Sequence, residues 1–515
     1  MLKGIIKKGA YYDSVTLMLA AKEINAMPGV EEAAVMMATQ ENLAIIQNAA
    51  MLPGELEHAG DNDLLIVVKA STEKDCENAI KAVDGILSEI RSQKKQQSQF
   101  SPKSLDSALQ LMPGANLALI SVAGKYAAAL ARKALENNLH VMLFSDNVSI
   151  DDELTLKKMA HGKGLLMMGP DCGTAIINGV PLAFANVVER GNIGLVGASG
   201  TGLQEVIAII SNNGGGISQA IGTGGRDLHL EIGGIMFVEA LRALANDENT
   251  KVICLVSKPP HPEVLKKISS EIRLVKKPVV AVFIGTEGLL QDDAGLIAAG
   301  NLEETALLSI ALAKNENPEI VKENLEQRNR KLKELAQQLA GKISGKYLRG
   351  LFSGGTLCNE AQYILSRNGI ATYGNAPLEV SQKLENVNKS REHTLIDLGT
   401  DDFTVGRPHP MIDFGLRKKR IVREAANRDV AVILLDVVLG YGAHPQPAEE
   451  LVPAIEEARK TSPKLLFVSS ITGTKQDPQN PEKVKTALED AGVIVMPSMA
   501  AAAALCSEIL KITGK

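Results

Sequence analysis

The sequence predicts an α/β fold with three domains, each built on a mostly parallel sheet. Three observations predict it: short apolar runs alternate with segments of helical periodicity, glycine-rich turns follow several of these runs, and four strand-and-turn units occur twice. Strands that alternate with helices favour parallel sheets, and a repeated order of motifs indicates tandem domains of one kind. A chain of 515 residues, 45% of them hydrophobic, is long enough to bury several cores.

The clearest strand-to-helix turn lies within residues 192–205. An apolar run ends in Gly197-Ala-Ser-Gly-Thr-Gly202, and helical spacing follows. A glycine turn of this kind lets the backbone approach a ligand and directs the unpaired N–H groups of the helix at one point. Because a helix N-terminus carries roughly half a positive charge, the pattern predicts an anion site at Ser199, Gly200, Thr201 and Gly202. An ordinary structural turn is the alternative.

The same turn occurs again in the second half of the chain. Gly200-Thr-Gly-Leu-Gln-Glu205 corresponds to Gly355-Thr-Leu-Cys-Asn-Glu360, and three further units follow in the same order. These units pair residues 220–227 with 398–402, 252–263 with 430–445, and 278–286 with 465–474. Each repeat therefore presents loops at the carboxyl ends of its strands, where open α/β sheets bind their ligands.

Composition argues against several classes of function. The formal net charge is −5 and no basic cluster is interleaved with aromatic residues, so we expect neither nucleic-acid nor anionic-membrane binding. The five cysteines have no metal or redox spacing, and no His/Cys/Asp cluster predicts a metal site. No apolar run reaches the ~18 residues of a membrane span, and the N-terminus does not resemble a signal peptide. We expect a cytoplasmic protein.

The order of the elements predicts the domain boundaries. Residues 3–92 contain three successive strand–helix units, which favour a mostly parallel sheet. Residues 191–315 form the first repeat domain, residues 316–345 a solvated helix and linker, and residues 346–515 the second repeat domain.

Several motifs resemble the FdrA family of acyl-CoA-synthetase-like proteins, and the resemblance covers essentially the whole chain. These motifs are Phe144-Ser-Asp-Asn-Val148, Met168-Gly-Pro-Asp-Cys-Gly-Thr174, Ser257-Lys-Pro-Pro260 and Gly406-Arg-Pro-His-Pro-Met-Ile-Asp413. The turns at 169–173, 197–201 and 222–227 also resemble the succinyl-CoA synthetase α-subunit, where similar turns bind coenzyme A and a phosphorylated histidine. The resemblance implies a Rossmann-like CoA-binding-type domain at 1–185 and flavodoxin-like CoA-ligase-type domains at 191–315 and 346–515.

Three departures from the synthetase affect the expected chemistry. Asp293 occupies the place of the phosphohistidine, and Ser257-Lys-Pro-Pro260 stands where the synthetase has the glutamate that orients it. The first strand-to-helix turn, at residues 7–14, contains one glycine instead of a glycine-rich phosphate loop. ATP-driven formation of an acyl-CoA is therefore disfavoured.

The resemblance implies that a phosphate lies between two helix N-termini, one from each repeat. The first is the Ser199 turn, and we place the second at Gly440 and Gly442. Some members of the FdrA family are implied to be subunits of a carbamoyltransferase, so we expect transfer of a carbamoyl or acyl group to or from phosphate. His444 or His409 is the expected acid or carbonyl polariser, and Lys258 adds positive charge.

Each of these side chains also has a structural interpretation. His444 fits an exposed loop, His409 fits a structural hydrogen bond with Asp413, and Lys258 fits a surface lysine. Arg226 and Asp227 are expected to contact the ligand, or else to pair with each other.

Two further functions are consistent with the sequence. The chain is either a succinyl-CoA synthetase-like ligase subunit that needs a separate nucleotide-binding chain, or a non-catalytic scaffold that binds a small anion. Phosphate or carbamoyl phosphate is the expected ligand, while CoA or a nucleotide stays open as a cofactor. The expected partners are other subunits of an enzyme complex and further copies of this chain.

Overall fold

The computed structural model describes residues 1–515 apart from 11, 13, 40–41, 44–45, 48–50, 57, 61–62, 97–101, 103, 287–294, 405–406 and 515. The chain divides into two units. The first contains Met1–Ala115, Val122–Tyr126 and Asp401–Pro408, and the second contains Asn116–Ser121, Ala127–Thr400 and His409–Lys515. None of the described helices is long and apolar enough to cross a membrane.

The first unit is built on a three-stranded antiparallel sheet. Its elements are β1 (Leu2–Lys7), α1 (Ser14–Asn25), β2 (Val30–Met37), β3 (Leu64–Ala70), α2 (Glu73–Gln96) and α3 (Leu105–Leu111). The expectation of a parallel sheet over residues 3–92 was wrong, because β1 and β2 both run antiparallel to β3. The helical crossover does make β1 and β2 point the same way, but β3 inserts between them in the opposite direction.

A three-stranded parallel sheet with strand order β4-β5-β6 follows the first unit. Its strands and the helices between them are β4 (Leu117–Ile120), α4 (Gly124–Glu136), β5 (His140–Leu143), α5 (Ile150–Gly162) and β6 (Met167–Met168).

The first repeat lies in a seven-stranded sheet with strand order β13-β12-β11-β9-β10-β7-β8. Its elements are β7 (Thr174–Ile177), β8 (Val180–Ala183), β9 (Arg190–Gly197), α6 (Gly200–Asn212), β10 (Ile217–Gly222), α7 (Ile235–Asn246), β11 (Val252–Ser257), α8 (Pro262–Ile272), β12 (Val279–Phe283), β13 (Leu296–Ala298) and α9 (Leu302–Ala313). Strands β7 and β8 form an antiparallel edge, so this sheet extends on the N-terminal side of the expected domain start at residue 191.

The second repeat is a five-stranded, fully parallel sheet with strand order β15-β14-β16-β17-β18. Its elements follow the helix α10 (Pro318–Ala340), and they are β14 (Tyr347–Phe352), α11 (Gly355–Arg367), β15 (Thr394–Asp397), α12 (Asp401–Thr404), α13 (Gly415–Ala425), β16 (Val430–Val438), α14 (Pro447–Thr461), β17 (Leu466–Thr472), α15 (Pro481–Asp490), β18 (Val493–Met496) and α16 (Met499–Thr513). The helix α12 belongs to the first unit.

The two repeats share one topology. In each, the first parallel strand lies between the second and the third, and the fourth and fifth follow, which is the 2-1-3-4-5 order of flavodoxin-like sheets. The predicted class, an α/β fold with mostly parallel sheets and tandem repeats, is therefore confirmed.

The repeats are joined by helices that cap one another reciprocally. Glu205 in α6 of the first repeat accepts the N–H of Met499, the first residue of α16 in the second repeat, at 3.0 Å. Glu360 in α11 of the second repeat accepts the N–H of Leu302, the first residue of α9 in the first repeat, at 2.8 Å. Each repeat thus supplies a glutamate that accepts an otherwise unpaired N–H at the start of a helix in the other repeat. Apolar side chains of α6, α9, α11 and α16 fill the core around them.

Both capping carboxyls are fully buried, and burial shifts their protonation. Desolvation raises the pKa of Glu205 to about 6 and that of Glu360 to about 8. Glu360 is therefore protonated in the folded protein at neutral pH, whereas an unfolded chain ionises it near the ordinary value of about 4.3.

We predict that Glu360→Gln makes the protein less sensitive to alkaline pH. A folded-state pKa above the unfolded value means that the folded state holds the extra proton, so this carboxyl's contribution to stability falls as pH rises towards about 8. Glutamine keeps an oxygen for the Leu302 amide but cannot ionise. Urea unfolding at pH 5, 7 and 9 should show the variant gaining stability relative to the natural chain as pH rises. The exposed Glu482→Gln serves as control, and a parallel pH profile for Glu360→Gln would contradict the assignment.

Candidate functional site

The Ser199 turn is a capped helix start at the carboxyl end of β9. Ser199 has an extended backbone, and its Oγ accepts the N–H of Gly202 at 3.0 Å. The first turn of α6 begins at Gly200, and its N–H groups have no partners within the helix. The structure therefore forms the predicted turn with its amides directed away from the helix.

In the corresponding turn of the second repeat, a buried carboxylate accepts the backbone N–H groups. Asp436 on β16 accepts the N–H of Ser353 at 2.8 Å and that of Gly354 at 2.7 Å, as well as the Ser353 hydroxyl. Arg417 donates to the same carboxylate at 2.7 Å, and both side chains are fully buried. This pair fixes the start of α11, and the sequence analysis missed it because neither residue lies in the turn motif.

The first turns of α6 and α11 meet. The hydroxyls of Ser199 and Thr356 share a short hydrogen bond. A carbon added to Gly202 would lie 3.0 Å from Thr356 Cγ2, and one added to Gly354 would lie 3.0 Å from Thr201 Cγ2. Glycine therefore permits this close approach. The N-termini of α6 and α11, which carry partial positive charge, therefore lie next to each other. Each such terminus stabilises a nearby anion by about 1 kcal/mol.

Lys258 and Asp397 lie beside the start of α11. A carbon added to Gly355 would lie 2.5 Å from Asp397 Oδ2 and 3.6 Å from Lys258 Nζ. Asp397 is buried at the end of β15; desolvation raises its pKa, while Lys258 and the Gly399 amide oppose the shift. The structure thus places Lys258 at the paired helix ends, and it adds Asp397, which the sequence analysis did not identify.

His409 lies near the same strand end as a neutral ring. Its Nδ1 accepts the N–H of Met411 at 3.2 Å, so the ring proton is on Nε2. Burial lowers the pKa of His409 to about 4. Asp413 does not orient the ring: its carboxylate accepts the N–H of Gly415 at 2.6 Å instead. The Asp413 N–H instead donates to the His409 carbonyl oxygen at 3.0 Å, so the two residues are linked through the backbone and not through the ring. At neutral pH His409 acts as a hydrogen-bond donor.

The loop with Gly440, Gly442 and His444 does not start a helix. α14 begins later, at Pro447, and the Gly440 N–H already donates to Gln479 Oε1 at 3.0 Å. The expectation that Gly440 marks the second helix terminus was therefore wrong; the start of α11 takes that position. Both glycines have positive φ angles, 106° and 81°, which suit a tight loop.

This loop nevertheless adjoins the His409 region. The His444 N–H donates to the carbonyl of Met411 at 2.8 Å, and the His444 ring packs edge-on against Phe414 at 5.6 Å. Phe184 lies between the two loops, since it touches Gly442 and its ring is 5.9 Å from that of His409. The structure therefore brings both predicted histidines to neighbouring loops.

Arg226 and Asp227 belong to an ion network in which Asp227 is buried and the Arg226 side chain is 35% exposed. Arg226 donates to the carbonyl of Val148 at 2.7 Å and lies 2.9 Å from Glu153. Asp227 accepts from Lys157 at 2.7 Å and from the N–H of Phe237 at 2.7 Å. Lys157 also bonds Glu153 at 2.8 Å. We assign Arg226 and Asp227 to the fold rather than to a ligand.

Two further points of the sequence analysis concern Asp293 and metal binding. Asp293 lies outside the described residues. In the described part of the chain, no group of three or more His, Cys, Asp or Glu side chains is arranged to hold a metal ion.

Three family models match the chain. The model described as CoA-ligase matches residues 351–509, the model described as CoA binding domain matches 188–287, and the model described as AllF, heavy metal-associated domain matches 1–102. The CoA-binding match falls on the first repeat and not on residues 1–185, where the sequence analysis placed that domain. The chain thus has an acyl-CoA synthetase-like architecture with CoA-binding and CoA-ligase domains.

Individual proteins resemble the chain over different lengths. The uncharacterized protein YahF of Escherichia coli is 42% identical, covering 99% of this chain and 98% of that protein. Succinate–CoA ligase [ADP-forming] subunit alpha 2 of Archaeoglobus fulgidus is 28% identical, covering 36% of this chain and 66% of that subunit. The solved dinucleotide forming acetyl-coenzyme A synthetase 1 of Ca. Korarchaeum cryptofilum has a TM-score of 0.31 at 16% identity, covering 78% of this chain and 83% of that one.

We predict that Lys157→Met destabilises the protein strongly. The change leaves Glu153 and Asp227 buried without their shared cation, and breaking a buried ion pair costs about 3–5 kcal/mol. Urea unfolding measures this loss, with the exposed neighbour Lys158→Met as the matched control. A loss no larger than that of the control would show that the network contributes little to the fold.

Proposed function

We propose a function on the premise that this chain belongs to the same family as YahF of Escherichia coli. The chain transfers a carbamoyl or acyl group to or from phosphate, as one subunit of an enzyme complex. One observation carries the proposal: the first turns of α6 and α11 meet at Ser199 and Thr356, with Lys258 beside them. Helix amides, hydroxyls and an ammonium group are together the donors that bind phosphate.

The geometry supports transfer by binding the leaving group. A nucleophile attacks the carbonyl carbon of an acyl phosphate, and the carbon–oxygen bond to phosphate breaks. The electron pair stays on the phosphate oxygen, and the proton of the nucleophile passes to the departing phosphate. The helix ends and Lys258 offset the charge on that phosphate.

The two histidines have separate parts in this scheme. His409, neutral with its proton on Nε2, polarises the carbonyl by donating a hydrogen bond. His444 on the adjoining loop is the second candidate and assists departure of the phosphate.

We predict that Thr356→Val and Lys258→Met each weaken binding of inorganic phosphate. Valine keeps the shape of threonine but removes the hydroxyl shared with Ser199, and methionine removes the nearby positive charge. Calorimetric titration of the full chain should show a loss of at least about tenfold for Lys258→Met, since a hydrogen bond to a charged group contributes about 1.5–3 kcal/mol. The exposed Lys276→Met should bind phosphate as the natural chain does. If the natural chain does not bind phosphate, the proposal fails.

The family matches favour a second candidate, an NDP-forming acyl-CoA ligase subunit. The phosphohistidine expected of such a ligase has no counterpart around Asp293. None of the eight histidines of this chain lies within residues 285–301. The turns at 169–173 and 222–227 also pack tightly, since a carbon added to Gly224 would lie 2.3 Å from the Pro170 carbonyl oxygen. Arg226 is engaged with Glu153 and the Val148 carbonyl, and we derive no step through CoA.

We predict that the chain forms no phosphohistidine. Incubation with radiolabelled ATP, CoA and a succinyl-CoA synthetase β-subunit should leave no acid-labile label on the chain, while inorganic phosphate should stabilise it against heat. Ligand at 100 times its Kd stabilises by about 2.7 kcal/mol. Acid-labile label together with stabilisation by CoA would instead establish the ligase.

A further inference from the structure

Two aspartates lie at the start of α11, and their oxygens are engaged to different extents. Asp436 accepts two backbone N–H groups, a hydroxyl and a guanidinium N–H, so both of its oxygens are occupied. Asp397 accepts the Gly399 N–H at 2.9 Å through Oδ1. Within the part of the chain that the structure describes, Asp397 Oδ2 accepts no hydrogen bond. Asp397 therefore keeps one oxygen available at this helix end.

The available oxygen faces the first turn of α11 beside Lys258. A carbon added to Gly355 would lie 2.5 Å from Asp397 Oδ2 and 3.6 Å from Lys258 Nζ, so both atoms are close to one point. Gly355 is the first residue of α11, whose N–H groups are among the proposed donors to phosphate. A phosphate bound at this helix end therefore has Asp397 Oδ2 as a neighbour.

Opposing effects act on the pKa of Asp397. The side chain is 5% exposed, and desolvation raises its pKa. The charge of Asp436 raises it further, while Lys258 and the Gly399 amide lower it. A phosphate dianion at the helix end adds a negative charge and engages Lys258, and both changes raise the pKa of a nearby carboxyl. Binding of the dianion therefore favours the protonated form of Asp397.

We propose that Asp397 is the proton acceptor of the transfer, an assignment that rests on the proposed function. As the nucleophile bonds to the carbonyl carbon, its proton passes to Asp397 Oδ2. As the carbon–oxygen bond to phosphate breaks, the phosphate oxygen keeps the electron pair and then takes this proton, so Asp397 ends as a carboxylate. One carboxyl reaches both groups, because the nucleophile and the leaving oxygen are bonded to the same carbon when the transfer occurs.

The other titratable groups around Asp397 do not suit this role. His409 Nε2 already carries the ring proton, because Nδ1 accepts a backbone N–H. Burial raises the pKa of the Cys358 thiol, which therefore stays neutral at neutral pH. The carboxylate of Asp436 is held by an arginine. Asp397 is the carboxylate at this helix end with lone pairs left for a proton.

Sulfate tests the proton step, because it is a tetrahedral dianion that does not itself titrate near neutral pH. With sulfate bound, the site corresponds to the stage at which phosphate has departed and Asp397 holds the proton. Calorimetric titration of the full chain at pH 6, in two buffers of different ionisation enthalpy, measures the protons taken up. We expect about one proton per bound sulfate, and a sulfate affinity that falls by up to about tenfold for each unit rise in pH.

Variants assign the proton to one residue. Asp397→Asn keeps the shape but cannot ionise, so it should bind sulfate at least as tightly as the natural chain, without the proton uptake. A purely structural role would instead lower the affinity and leave the proton count unchanged. His444→Gln removes a neighbouring group that titrates near neutral pH. This variant and the exposed Asp490→Asn should both keep the uptake. Unchanged proton uptake in Asp397→Asn overturns the proposal.

Infrared spectroscopy separates Asp397 from the buried glutamates of α6 and α11, because burial also raises the pKa of Glu205 and of Glu360. Carbon-13 in the side-chain carboxyl of aspartate shifts its band away from that of glutamate. Adding sulfate to the labelled natural chain should produce the band of a protonated aspartate, and Asp397→Asn should lack it. If Asp397→Asn does not fold, the natural chain decides alone, and absence of the band overturns the proposal.

These outcomes distinguish failure of the proton acceptor from failure of the proposed function. Binding of sulfate and phosphate without proton uptake refutes the role of Asp397 and leaves the phosphate site standing. If neither anion binds the natural chain, the proposed function fails and the assignment of Asp397 fails with it.

Discussion

The reciprocal capping of helices by Glu205 and Glu360 is the constraint on which the arrangement of the two repeats depends. Each carboxyl accepts the first amide of a helix in the other repeat, so neither repeat can shift without leaving a buried N–H unpaired. The same two helices, α6 and α11, carry Ser199 and Thr356 in their first turns. One interface therefore contributes to stability and also sets the geometry of the proposed anion site. Both sides of this interface come from copies of one repeated motif.

Two aspartates lie near the paired helix ends, and each has a charged or amide partner. Asp436 lies directly under the start of α11, but Arg417 bonds its carboxylate and offsets its charge. Asp397 lies beside the same helix end and faces Lys258. Because the carboxylates are paired or engaged by amides, the positive helix ends are the groups on which the proposed preference for phosphate rests.

Local motifs predicted the topology well and the site in part. The repeated units implied equivalent sheets, and both have the 2-1-3-4-5 order. The Gly440 error arose because a glycine-rich loop after a strand resembles a helix start; Pro447, at the first helical position, was the better signal. Asp436 and Arg417 were not predictable, since they approach Ser353 only through the fold. Likewise, helix alternation fixed the directions of β1 and β2 but could not show that β3 inserts between them.

The site is better suited to supplying charge than to supplying protons. A histidine whose pKa is about 4 delivers no proton at neutral pH, and Lys258 stands at helix ends that already favour anions. An acyl phosphate needs little help from an acid, because phosphate departs as a stable anion. What its departure requires is prearranged donors for the oxygen on which charge develops. In the proposed transfer, the facing helix ends of α6 and α11 are such donors, and this reaction needs no histidine relay.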